Sequence, residues 1–254
     1  MLIAPSRLRK WLGVDPHGVL HVGAHLAEER HVYRDANFGR VLWVEAQSNL
    51  IPIIQKSLKG SSDLVFEGAA WSETGVEKKF QITNNSQSSS LFGLAEHLSE
   101  YPEILLSEER SVRTIRLDEL IPASEGFDFI TLDIQGAELE ALKGLGQRLE
   151  DVRWVFTEVN KRMMYEGIPL VDELDEYLSR FGLERIVTVW NKAGWGDALY
   201  AQKGHTVAQR LAIRWGVFVV LSEVAMNDFQ DSQKRFRKRL RRRFFRMIDR
   251  LRGL

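Results

Sequence analysis

Short runs of β-branched and aromatic residues alternate with helix-patterned stretches along most of this chain, and that alternation limits the fold more than any other feature. Residues 18–22 precede a helical pattern at 28–38, residues 41–45 precede 50–58, and a further run follows at 64–67. A second series has a buried strand at 127–134, a helix at 137–145 closed by Gly146, a strand at 152–158 and a helix at 171–181. Such alternation calls for βαβ units and a parallel sheet. Residues 183–190 and 198–202 flank the turn-rich segment 191–197, so the sheet is expected to end in an antiparallel hairpin. The expected architecture is a Rossmann-like, doubly wound α/β sheet, mostly parallel, over residues 17–204. Residues 1–16 read as a helical lead-in, and residues 205–254 as a helical extension with a basic amphipathic tail.

A chain of 254 residues, 44% of them hydrophobic, can bury one substantial core. It contains no cysteine, which excludes a disulfide framework, zinc–thiolate sites and thiol nucleophiles, and fits a reducing compartment. The segment Met1 to Trp11 is basic and amphipathic, without the long apolar core of a secretory signal, so a cytoplasmic location is expected. Residues 215–226 are the most apolar stretch, yet they carry Ser222 and Glu223 and fall short of the roughly 20 residues a membrane span needs. The zero net charge hides a segregation: residues 205–254 hold 13 Lys/Arg against 4 Asp/Glu, leaving 22 against 31 in residues 1–204. The two parts are expected to meet different partners.

Four motifs carry the chemistry. In residues 19–29, VLHVGAHLAEE, a strand runs into Gly23-Ala24, where a ligand can approach the backbone. The three-glycine dinucleotide pattern and the P-loop are absent, and Glu28 and Glu29 would repel a pyrophosphate, so a cationic sulfonium ligand is the better electrostatic match. In residues 41–48, VLWVEAQS, Glu45 ends the second strand, the place where nucleoside-binding sheets put an acid that accepts ribose hydroxyls. In residues 67–75, EGAAWSETG, Ala69 and Ala70 leave room for a flat ring, a pattern that plain close packing also produces. In residues 127–145, FDFITLDIQGAELEALKGL, an apolar strand delivers Asp133 at its carboxyl end, and Gln135-Gly136 turn the chain into a helix with Glu138 in its first turn. Asp133 is expected near the reacting atoms or, alternatively, as a cap of that helix. The polar run Thr83 to Ser90, TNNSQSSS, is a candidate substrate loop, and a helical stretch is expected over residues 94–109.

Together with the segment Leu117-Asp118-Glu119-Leu120, these motifs occur in an order that resembles the FkbM-type family of methyltransferases, over roughly residues 17–203. The resemblance implies the class I methyltransferase fold, S-adenosyl-L-methionine as cofactor, and O-methylation of sugars, glycolipids or related natural products. It further implies that Gly23, Ala24 and His25 contact the methionine part, Glu45 with Ala46 beside it the ribose, Ala69 and Ala70 the adenine edge, and Asp133 the junction of donor and acceptor. His21 stands where an aspartate is common and is counted with the cofactor contacts; Gln135 stands where the family has glutamate, which removes one candidate base. The remaining candidates for a general base are Asp133, His25 and Glu158, and Tyr165 and Asn160 are candidates for the acceptor pocket. The His and acidic residues show no compact metal-ligand spacing, and no metal is expected.

In the tail, Phe236, Leu240, Phe244, Met247, Ile248 and Leu251 form one apolar stripe on an arginine-rich helical pattern. Residues 232–254 can lie on an anionic membrane, at the inner surface for a cytoplasmic protein, or pack on the acidic body. Nucleic acid is the lesser alternative, since no aromatic stacking platform accompanies the charge. The expected partner at the sheet is a small-molecule or glycan acceptor. Two other readings are an inactive methyltransferase-fold adaptor tethered by its tail, and an RNA methyltransferase. The residues do not fix an oligomeric state.

Overall fold

The computed structural model describes residues 2–93, 100–121, 126–203 and 211–227. In chain order the elements begin with α1 (Pro5–Leu12), β1 (Gly18–Val22), α2 (Arg30–Asp35), β2 (Arg40–Glu45), α3 (Ile51–Ser57) and β3 (Leu64–Glu67). A ribbon region follows with β4 (Ala69–Ala70), β5 (Glu77–Thr83) and β6 (Leu106–Ile115). The second half contains α4 (Leu117–Leu120), β7 (Phe129–Leu132), α5 (Glu138–Leu145), β8 (Trp154–Asn160), α6 (Val171–Ser179), β9 (Leu183–Trp190) and β10 (Trp195–Gln202). Residues 211–227 are helical.

The main sheet has seven strands in the order β3-β2-β1-β7-β8-β10-β9. The first five are parallel, while β10 runs antiparallel to both β8 and β9. This is the class I methyltransferase arrangement with its closing hairpin. Strands β1 and β7 are buried at every position, as parallel strands covered on both faces must be. One face packs Leu8 and Leu12 of α1, Tyr33 of α2 and Ile54 of α3 against Val19, Trp43, Phe129 and Phe156. The other packs Leu117 of α4, Leu142 and Leu145 of α5 and Leu174 and Leu178 of α6 against Leu20, Val44, Ile130 and Val155. Successive strands step outward from β1 to β3, and the chain then returns to place β7 on the other side of β1. The resulting switch point between β1 and β7 opens a crevice at the carboxyl ends of the strands, where open α/β sheets bind ligands.

Two expectations change. Residues 106–109 are not helical: they begin β6, which pairs antiparallel with β5 from Glu77↔Arg113 to Thr83↔Leu106. Residues 94–99 of the same expected helix lie outside the described residues. The leucine spacing there imitates a helix, but the charged, one-sided strand is fixed by its partner, with Lys79 and Glu109 paired at 2.8 Å. Strand β4 joins the parallel side of β6, so a second, three-stranded sheet of order β4-β6-β5 stands beside the first. The helix expected at 28–38 is shorter, Arg30–Asp35, because His25 and Ala27 take left-handed backbone angles ahead of it. The basic tail, residues 232–254, lies outside the described residues. Among the described residues, no helix is long and apolar enough to cross a membrane.

Candidate functional site

A cavity of about 400 Å³ lies in the crevice between β1, β2 and β7, a volume typical of small-molecule sites, about 300–1,000 Å³. Its floor is built from strand ends. Gly23 follows β1 at φ +90°, and a β-carbon there would stand 2.1 Å from the carbonyl oxygen of Asp133. Only glycine lets the ends of β1 and β7 come together so closely.

Glu45, the last residue of β2, is buried with one oxygen accepting the N–H of His25 at 2.7 Å and the other accepting the N–H of Gln47 at 2.8 Å. Burial raises its pKa, and these amides oppose the rise. His25 has φ +46°, and its Nδ1 lies 2.8 Å from Glu28, which also accepts the N–H of Leu26. The loop after β1 is thereby tied to Glu45 and Glu28 rather than to a regular helix start.

His21 lines the cavity from within β1, but it is buried against Trp43, with its Nδ1 2.9 Å from the Tyr33 hydroxyl. Burial drives its pKa down to about 4, so the ring is neutral near pH 7. In the same wall, Glu29 is desolvated and its pKa raised.

Beyond Asp133 the chain enters the left-handed region at Gln135, φ +54°, and Gly136, φ +106°. A non-glycine residue there costs on the order of 1–3 kcal/mol. Bonds made by three neighbours, Ser90, Tyr165 and Glu138, hold it. Ser90 Oγ donates to the Gln135 carbonyl at 2.6 Å, Tyr165 Oη donates to its Oε1 at 2.7 Å, and the buried carboxylate of Glu138 accepts the N–H groups of Ile134 and Gly136. Gln135 Nε2 in turn donates to Asp133 Oδ1 at 2.8 Å and to Glu158 Oε2 at 3.3 Å. Burial lifts the Glu138 pKa to about 7 despite those amides. Burial, with Asp133, Glu138 and Asp197 nearby, pushes Glu158 well above the usual carboxylate range, which favours its protonated form. Asp197, opposite Glu158 in register, accepts the backbone N–H groups of Leu2 and Ile3, the latter at 3.0 Å, and burial raises its pKa to about 6.

The cavity therefore collects His21, Gly23, His25, Glu45, Ala46, Ala69, Ala70, Asp133 and Glu158 of the sequence candidates, with Tyr165 of the pocket candidates. Ala24 is not in its wall, because its N–H donates to the Val44 carbonyl and its methyl group packs into the core. Asn160 is buried away from it, with Oδ1 lacking a hydrogen-bond partner. Part of the polar run is in the wall: Asn85, Gln87, Ser88 and Ser89 face the cavity. Sequence reading missed Tyr101 and Trp195, whose Nε1 donates to the Tyr101 hydroxyl at 3.0 Å, and Glu103. No spacing rule joins the segment of Tyr101 and Glu103, just before β6, to Trp195 in β10.

Six carboxylic side chains line the cavity, Glu28, Glu29, Glu45, Glu103, Asp133 and Glu158, and no lysine or arginine among the described residues does. Among the described residues, no three His, Asp or Glu side chains converge as a metal-binding group.

Solved structures with a similar fold include a SAM-dependent methyltransferase from Aquifex aeolicus, 15% identical, covering 78% of this chain and 89% of that one with a TM-score of 0.42. Another is a TehB-like SAM-dependent methyltransferase from Corynebacterium glutamicum, 11% identical, covering 80% and 89% with a TM-score of 0.42. Among curated proteins, 2-O-methyltransferase NoeI of Sinorhizobium fredii is 38% identical over 82 residues, 31% of this chain. The chain spans only 34% of the length of that relative. The family description Methyltransferase FkbM domain matches residues 21–184, from the second half of β1 to the start of β9, a range that contains the cavity floor and both carboxylate-bearing strand ends. The chain belongs to the FkbM methyltransferase family.

Proposed function

We propose that this chain transfers a methyl group from S-adenosylmethionine to a hydroxyl oxygen of a sugar, glycolipid or related natural product. The observation that carries the reading is the charge of the cavity: six carboxylic side chains, no lysine or arginine among the described residues, and a histidine kept neutral by burial. Such walls suit a ligand with a sulfonium and an ammonium group and repel phosphates. Glu45 has one backbone amide on each oxygen, which leaves acceptor capacity on both for the two ribose hydroxyls. Ala69 and Ala70 offer a flat, small-residue wall for adenine, Ala46 would lie beside Glu45 at the ribose, and Gly23 and His25 would border the methionine part, with His21 beneath them. When bound, S-adenosylmethionine supplies a methyl group open to in-line displacement at a sulfonium centre.

The residues beyond the cofactor would position the acceptor, and positioning is the main source of acceleration for such a displacement. Asp133, oriented by Gln135, is the first choice to receive the hydroxyl proton; His25, fixed by Glu28, and Glu158 follow. Trp195 and Tyr101 give an aromatic surface, and Asn85, Ser88 and Ser89 neutral polar groups, a combination that suits a polyhydroxylated ring. The 2-O-methyltransferase similarity supports oxygen as the methylated atom. An RNA acceptor fits less well, because its phosphates would meet acidic walls.

Isothermal titration with S-adenosylhomocysteine tests the core of this reading. Micromolar binding is expected, weakened at least about tenfold, or ~1.4 kcal/mol, by Glu45→Ala. A folded wild-type protein that does not bind at all would overturn it. Transfer of labelled methyl to a panel of sugars and glycolipids then identifies the acceptor.

A further inference from the structure

The helical segment 211–227 is apolar on two faces, and only one of them is used by the fold. Val220 is fully buried, and Val217 and Val224 pack on the same core as α1. Arg7 of α1 pairs with Glu223 at 3.0 Å, while the backbone at Gly216 approaches so near that a β-carbon would stand 1.9 Å from the Trp11 carbonyl oxygen. The segment therefore runs antiparallel to α1, held along its inner side.

Its outer side carries Leu211, Trp215, Phe218 and Met226, which are 60%, 65%, 61% and 58% exposed, with Leu221 at their edge. At 3.6 residues per turn these positions form one stripe, opposite the valines. Trp215 and Phe218 lie side by side, ring centroids 5.8 Å apart. The following sequence supplies the complementary feature. Residues 232–254 contain 11 Lys/Arg and a single acid, Asp249.

We infer that the outer face of segment 211–227 inserts into the interfacial region of a bilayer with anionic headgroups, and that the basic residues after it bind those headgroups. An apolar stripe with aromatic rings next to a dense positive run is the composition of a helix that lies in the membrane plane. Phosphate binding to nucleic acid would leave the stripe without a role, and folding of the tail onto the acidic body would leave it exposed. Residues 1–204 carry 22 Lys/Arg against 31 Asp/Glu, so the attraction to an anionic surface comes from the part of the sequence that follows them, to which segment 211–227 belongs. Because the segment runs antiparallel to α1, its end at residue 227 points toward the side where Leu2 and Ile3 meet Asp197, beside Glu158 of the cavity. The inference does not depend on methyl transfer.

The test is co-sedimentation of the full chain with vesicles of phosphatidylcholine, with and without phosphatidylglycerol. Binding is expected only with phosphatidylglycerol, and it should fall as salt is raised. Trp215→Ser/Phe218→Ser, two exposed positions that leave the valine face intact, should lower the partition coefficient at least about tenfold. Brominated lipid should quench tryptophan fluorescence in the wild type and much less in Trp215→Phe. Undiminished binding by the double variant overturns the inference, as does absence of vesicle binding by the wild type. So does a wild-type dimer, seen by sedimentation velocity, that the double variant abolishes while vesicle binding persists, since the stripe would then face a second copy.

Discussion

Gly23 stands at φ +90°, with the Asp133 carbonyl where its side chain would begin. Gly23→Ala must either separate β1 from β7 or distort the turn, and we expect a loss of at least about 2 kcal/mol of stability in urea unfolding, together with loss of S-adenosylhomocysteine binding. Wild-type stability in that variant would refute the packing argument. At this scale the positions of Gly23, Glu45 and Asp133 were legible in the sequence, since each ends an apolar run and a parallel sheet brings such ends to one rim. The position of Gln135 between two carboxyl groups was not. It depends on a left-handed backbone angle and on Tyr165, 30 residues further on, neither of which periodicity reveals. Nor does a strand pattern indicate that His21 is buried beside Tyr33 and Trp43 and, through that burial, unable to carry charge near neutral pH.

The elements divide the cavity between them. Strands β1, β2 and β7 form the wall assigned to the cofactor, whereas the segment between β5 and β6, together with Trp195 of β10, forms the other. Trp195→Ala should therefore raise the acceptor KM about tenfold or more, ~1.4 kcal/mol, and leave S-adenosylhomocysteine affinity unchanged by calorimetry. An equal loss of both would place Trp195 against the cofactor instead. The same division explains what sequence reading recovered. The central strands are continuous apolar runs that a helix pattern does not imitate. Strand β6 reads Leu-Ser-Glu-Glu-Arg-Ser-Val-Arg-Thr-Ile and is mostly exposed, so its conformation comes from pairing with β5 and not from any hydrophobic period of its own.

For the whole molecule, the buried ionisable groups set a pH dependence with a definite sign. Folding lowers the His21 pKa from 6.5 to about 4, so the unfolded chain binds a proton there that the folded chain rejects, and stability rises with pH through that window. Folding raises Glu138 from 4.5 to about 7 and Asp197 from 3.8 to about 6, so the folded chain keeps protons that the unfolded chain has released, and stability falls as pH rises. Glu158, Glu45 and Glu29 act in the same direction as these two. With five raised acids against one histidine, the ligand-free protein should be more stable at about pH 5 than at about pH 7, by roughly 1.4 kcal/mol per pH unit for each net proton. Thermal unfolding across this range checks the sign, and Glu138→Gln should flatten the slope; a midpoint that climbs steadily from pH 5 to 7 would contradict it. The acidic lining has one more consequence, for turnover. Under the proposed reaction the walls hold a cation before methyl transfer and face an uncharged thioether afterwards. The attraction of the carboxylates for the sulfur thus weakens at the moment of reaction, while their hold on the ammonium group stays, so the charge of the cavity favours the loaded donor over the spent one and helps the exchange of one for the other.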